Sequence, residues 1–108
     1  MDQRHADLLR RLTINDEGAL DSVLRMSGDD AALSPATWAL VRLTAGLALH
    51  PTPESLHWAV AVALAAGAAD DDVLETLVAA APIIGLGRVD WVAQELAAAL
   101  ETDGTGRE

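Results

Sequence analysis

Apolar positions recur with helical spacing along most of the chain, and one stretch departs from that pattern by having almost no polar side. Between Pro53 and Gly67 the only polar side chains are Glu54, Ser55 and His57, all in the first two turns, and no charge occurs from Trp58 to Ala69. Both ends carry start and stop signals: Thr52 as N-cap, Pro53 at the first helical position, and Gly67 as a left-handed terminator. The pattern predicts a helix over 53–66 that offers no solvent face and so needs cover on nearly every side. The few other elements of so short a chain would struggle to enclose it, so the expectation is shelter by further copies of the protein.

The flanking elements read as follows. Residues 1–14 form an N-terminal arm or frayed helix with Leu8, Leu9 and Leu12 on one stripe. Asn15 or Asp16 caps a second helix to about Met26, with Leu20, Val23 and Leu24 sharing a face, before Ser27-Gly28-Asp29-Asp30 ends it. Ser34 and Pro35 open a helix over 35–50 with Leu40, Leu43, Leu47 and His50 at helical spacing. Pro51 closes it and leaves Thr52 as the only link to the central helix, a tight hairpin. Asp70-Asp71-Asp72 then begin a helix whose expected buried face is Val73, Leu74, Leu77 and Val78, and Pro82 should kink or restart it. A last helix, about 88–101, has Val89, Val92, Ala93, Leu96, Ala97 and Leu100 on one stripe, and 102–108 reads as a disordered tail. The organisation is one domain over 1–108, its helical core at 15–101, of all-α class with five to six helices.

Composition supports that class. Alanine makes up about a fifth of the 108 residues, Phe and Tyr are absent, and only three Trp occur. Small, strong helix formers predominate, and β-branched residues are too scattered to draw a sheet. The net charge of −10, with seven basic residues that are all Arg, argues against nucleic acid or an anionic membrane as partner. The longest uncharged run is too short to span a membrane, and Asp2, Arg4, His5 and Asp7 occupy the place where a signal peptide would be apolar, so a cytoplasmic location is expected. Without cysteine there is no disulfide and no thiolate nucleophile. The three aspartates at 70–72 read as helix-start residues complementing the macrodipole, and neither a metal nor a cofactor is expected.

Two segments carry a resemblance. Leu33-Ser34-Pro35-Ala36-Thr37-Trp38-Ala39-Leu40-Val41-Arg42-Leu43, followed at short distance by Ala63-Leu64-Ala65-Ala66-Gly67-Ala68-Ala69-Asp70-Asp71-Asp72-Val73, resembles the carboxymuconolactone decarboxylase and alkylhydroperoxidase-D-like family. There a helix opening Leu-[Ser/Asp]-Pro precedes one ending Ala-Leu-x-x-Gly-Ala. The resemblance covers roughly 33–100 and implies a helical domain built on a buried central hairpin (35–50 and 53–66), assembling as trimers or hexamers, with dimers as building blocks. Redox-active members carry Cys-x-x-Cys-x-x-x-His on the central helix. Counted back from Gly67 those positions are Thr52, Ser55 and Ala59, so the thiol peroxidase route has no residues to run on.

The remaining candidates for chemistry cluster at the start of the central helix. His57, Ser55, Glu54 and, across the hairpin, His50 are the candidate acid–base or nucleophilic residues. Ser55 and His57 point to different sides of the helix, Glu54 and His57 can pair at i, i+3, and His50 has Ser55 within conceivable reach. Trp38 and Trp58 are candidates to line an apolar pocket, and Arg42 is the cation placed to meet a carboxylate, from a ligand, from Glu54 or Glu75, or from a partner chain, with Arg88 a weaker candidate of similar character. The expected function is a family protein without redox chemistry, either a lyase, isomerase or hydrolase acting on a small hydrophobic acid or lactone, or a non-catalytic oligomeric binding or scaffold protein.

Overall fold

In the computed structural model, residues 1–103 are described; most of the expected tail, 104–108, lies outside them. The described residues form six α-helices and one short 3₁₀ turn, with no strand among them. Residues 1–31 and the remainder of the chain make two compact units.

The first unit contains α1 (Gln3–Thr13), α2 (Glu17–Arg25) and the 3₁₀ turn Gly28–Asp30. Asp2 caps α1 by accepting from the His5 backbone N–H at 2.9 Å. Asn15 takes the left-handed conformation that asparagine tolerates, with φ 56°, and the chain turns there into α2. Of the two expected caps it is Asp16 that serves: its Oδ2 accepts from the Ala19 N–H at 2.9 Å and from the Arg11 guanidinium at 2.8 Å. Those two donors, Arg11 foremost, hold the Asp16 carboxyl below the usual carboxylate range. On α2 only Ala19 is buried, while Leu20, Val23 and Leu24 are exposed.

The second unit holds α3 (Pro35–Leu47), α4 (Pro53–Ala65), α5 (Asp70–Ile84) and α6 (Leu86–Asp103). Helices α3 and α6 each pack against both α4 and α5, which meet each other only slightly. Leu43 and Leu47 of α3, Leu56 and Val60 of α4, Val73 and Leu77 of α5, and Val92 and Leu96 of α6 form the core. Ala39, Ala63 and Ala68 make a second, all-alanine cluster, in which small side chains bring α3 close to the end of α4. No described helix is long and apolar enough to cross a membrane.

The start and stop signals act as read. Ser34 and Thr52 accept from the Thr37 and Ser55 N–H groups, each followed by a proline at the start of its helix. Gly67, at φ 106°, closes α4: its N–H donates to Leu64 O and that of Ala68 to Ala63 O, the paired bonds of a Schellman motif. At α5 the Asp72 carboxylate receives the Ala69 N–H at 2.9 Å, a cap by the third residue of the helix.

Several expectations need correction. Helix α3 ends at Leu47 rather than His50, since the residue before Pro51 is driven out of the helical region, so the hairpin link is 48–52. Helix α5 runs through Pro82 without restarting; the proline sits in the last turn, and Gly85, at φ 89°, ends the helix. The buried face of α5 is Val73, Thr76, Leu77 and Ala80, with Leu74 and Val78 more than half exposed. On α6 the stripe runs through Val92, Leu96 and Ala99, while Ala93 and Ala97 are exposed. Within the single chain the central hairpin is buried on one side, where Leu56, Val60 and Ala63 face inward; Trp58, 70% exposed, and Val62, 38%, lie on the side expected to be covered by further copies.

Two glycines separate backbone conformation from packing. A Cβ at Gly67 or Gly46 meets nothing within 4 Å. Gly67→Ala is expected to destabilise by about 1–2 kcal/mol through its left-handed backbone alone, and Gly46→Ala, inside α3, to stabilise by about 0.5–1 kcal/mol; urea unfolding of the two variants checks both signs. The Asp16 cap contributes stability above the ordinary aspartate pKa, about 3.9, which is lost as pH falls through the lower value of the folded chain. The NMR signal of the Ala19 amide should therefore shift as the solution is acidified below that range, and Asp16→Asn should abolish the dependence.

Candidate functional site

Helical periodicity sets what each side of α4 can do. Ser55, Trp58, Ala59 and Val62 fall at i, i+3, i+4 and i+7, one continuous face, and all four line a cleft of about 390 Å³. The opposite wall comes from α3, with Trp38, Ala39, Arg42, Leu43 and Gly46. The three residues proposed from sequence as ligand-binding, Trp38, Trp58 and Arg42, thus share one cavity with Ser55, one of the proposed catalytic set. The volume falls within the range of small-molecule sites, and the lining is apolar apart from Arg42 and Ser55.

Arg42 lies over the Trp38 ring, 5.7 Å from its centroid, a cation–π geometry between residues four apart on one helix. Neither Glu54 nor Glu75, nor any other carboxylate among the described residues, comes within ion-pair reach of it. Arg42 is exposed, over one indole and in a cleft lined by a second, and its charge is available to a ligand.

The other candidates are dispersed. His57 turns toward α6, where its Nε2 lies 3.0 Å from Glu95 Oε1. Its carboxylate partner is therefore Glu95, thirty-eight positions away, and not Glu54. Glu54 is exposed in the first turn of α4, where it complements the helix dipole. His50 sits beyond the end of α3 with the Arg88 guanidinium against its ring, Nη2 being 2.8 Å from Nε2 and 3.0 Å from Nδ1. It lines a second cleft with Pro51, Arg88 and Trp91, and Ser55 is not part of that lining. Ser55, His57 and His50 therefore lie in three separate settings within one chain. Sequence reasoning offers Arg88 only as a weaker counterpart of Arg42 and does not single out Glu95; the contacts of both join distant parts of the chain, and spacing along it carries no trace of them.

A third, larger and almost wholly apolar groove runs between α3 and α5, with Val41, Ala45 and Ile83 among its lining residues. Among the described residues no group of three His, Asp or Glu side chains converges as a metal site would require. Set against protein-family models, curated proteins and solved structures, the chain has no match in any of the three comparisons.

The His57–Glu95 contact links α4 to α6 at a half-buried position. A double-mutant cycle on His57→Ala and Glu95→Ala, read by urea unfolding at neutral pH, should give a coupling below about 1 kcal/mol, with helical circular dichroism unchanged in all four chains.

Proposed function

We propose that the protein is a non-catalytic, homo-oligomeric binding module of carboxymuconolactone decarboxylase-like descent that takes a small, flat hydrophobic acid in the Trp38–Trp58 cleft. The observation that carries this reading is the convergence of two indoles, one guanidinium and one hydroxyl on a single cavity. The rings supply apolar area with defined orientation, and Arg42 supplies a charge-assisted hydrogen bond to a carboxylate. Ser55 and Ala59, the positions that the resemblance assigns to the second cysteine and the histidine, both line this cleft. That is what a scaffold keeping its pocket after losing its thiol chemistry would present.

A lyase, isomerase or hydrolase reading has one point in its favour, Ser55 on the cleft wall. It lacks a base: His57 is engaged with Glu95 and His50 with Arg88, neither of them lining the cleft, whereas proton transfer requires a base within hydrogen-bond reach of the substrate. Binding without turnover accounts for the placement more directly. Assembly is supported by the open rim of this same cleft, where Trp58 and Val62 remain exposed on a stretch of α4 free of charge. Copies that each carry −10 repel one another, so association would use such uncharged surface.

Naphthalene-2-carboxylate is a suitable probe for the cleft. It should quench tryptophan emission saturably, and Arg42→Gln should weaken its binding about tenfold, or 1.4 kcal/mol, while the neutral carboxamide binds less tightly to the unaltered protein. Equal affinities for acid and amide, or an Arg42→Gln variant that binds as before, would contradict the proposal.

A further inference from the structure

The chain uses its arginines in two ways. In the first unit Arg10, Arg11 and Arg25 each hold an aspartate, at 2.9, 2.8 and 2.9 Å, while the exposed Arg4 makes no such pair among the described residues. In the second, Arg42 and Arg88 have no carboxylate within ion-pair distance among the described residues, although acidic side chains far outnumber basic ones. Arg42 belongs to the cleft described above. Arg88 lies elsewhere, in a cavity of about 230 Å³ lined by His50, Pro51, Arg88 and Trp91, where the hairpin link meets the first turn of α6.

The Arg88 guanidinium is held at two points. Its Nη1 donates to Ala48 O at 2.6 Å, satisfying a carbonyl at the end of α3, and its Nη2 packs on the His50 ring, 2.8 Å from Nε2 and 3.0 Å from Nδ1. Lying within 3.0 Å of both ring nitrogens, Nη2 rests over the imidazole face, which supports the guanidinium from below. A guanidinium has five N–H groups; these two contacts leave the others for a ligand. A cation fixed in this way loses little freedom when an anion arrives. The N-terminal end of the α6 dipole adds partial positive charge nearby. Trp91 contributes an aromatic wall, and its indole N–H has no hydrogen-bond partner among the described residues.

From this arrangement we infer that the His50–Arg88–Trp91 cleft is a second binding site, for a small planar carboxylate whose oxygens accept from Arg88 and whose flat body lies along Trp91. The cavity is smaller than the 300 Å³ or so at which drug-sized sites begin, which limits the ligand to about one ring. The site shares no residue with the Trp38–Trp58 cleft and stands or falls separately.

The test is a titration of the ¹⁵N-labelled full chain with benzoate and, separately, with neutral benzamide, following the three indole N–H and the arginine Nε–H signals. Benzoate is expected to shift the Trp91 and Arg88 signals saturably, and benzamide to leave them in place. Arg88→Gln should weaken benzoate at Trp91 tenfold or more, whereas Arg42→Gln should leave that response unchanged. Because Arg88 also caps α3, His50→Ala is the second variant: it keeps the bond to Ala48, and it should weaken benzoate severalfold while helical circular dichroism is retained. Shifts confined to Trp38 and Trp58, equal responses to benzamide, or undiminished binding in Arg88→Gln or His50→Ala would overturn the assignment.

Discussion

The one-sided burial of α4 is the constraint from which the other features follow. Leu56, Val60 and Ala63 are almost inaccessible to solvent, and they lock the rotation of a helix whose ends are fixed by Pro53 and Gly67. Once that rotation is set, every other side chain on α4 has its direction. Ser55, Trp58, Ala59 and Val62 must face the α3 side cleft, and His57 must turn toward α6 and Glu95. Burial of apolar area, worth roughly 25 cal/mol per Å², thus decides which polar groups can meet.

This sorting separates groups that lie close in sequence. Ser55 and His57 are two residues apart, and a helix places such neighbours on different sides. Groups distant in sequence are brought together instead: Arg88 reaches both Ala48 and His50 across the end of the bundle. Two cationic positions, each beside a tryptophan, are the outcome in a chain whose carboxylates otherwise dominate its surface.

Local signals were legible in the sequence because they are settled by a few adjacent residues. Thr52-Pro53, Ser34-Pro35 and Gly67 begin and end helices through their own backbone chemistry, and the structure follows them closely. The convergence of Trp38, Arg42, Ser55 and Trp58 was partly legible as well, since helical spacing and a short hairpin bring them near one another. What resisted reading was rotation. Helix α5 has apolar residues on both sides of Val73 and Leu77, and its charged side chains stop at Glu75, so spacing alone reads Leu74 and Val78 as inward although both face out. On α4 the side left open by the chain itself, with Trp58 and Val62 exposed, is the part of the helix that the sequence expects further copies to cover. The partners of His57 and Arg88 stand thirty-eight and forty residues away, beyond anything local periodicity encodes.

The open rim of the Trp38–Trp58 cleft, where Trp58 stands exposed on the uncharged stretch of α4, is the surface that binding and assembly share in the proposed function. Sedimentation velocity across the micromolar range addresses it directly, on the unaltered chain and on Trp58→Asp. The account predicts an assembly several times the 11.3 kDa of one chain, reduced to single chains of unchanged helicity by the substitution. A wild-type protein that sediments as one chain at every concentration would contradict it.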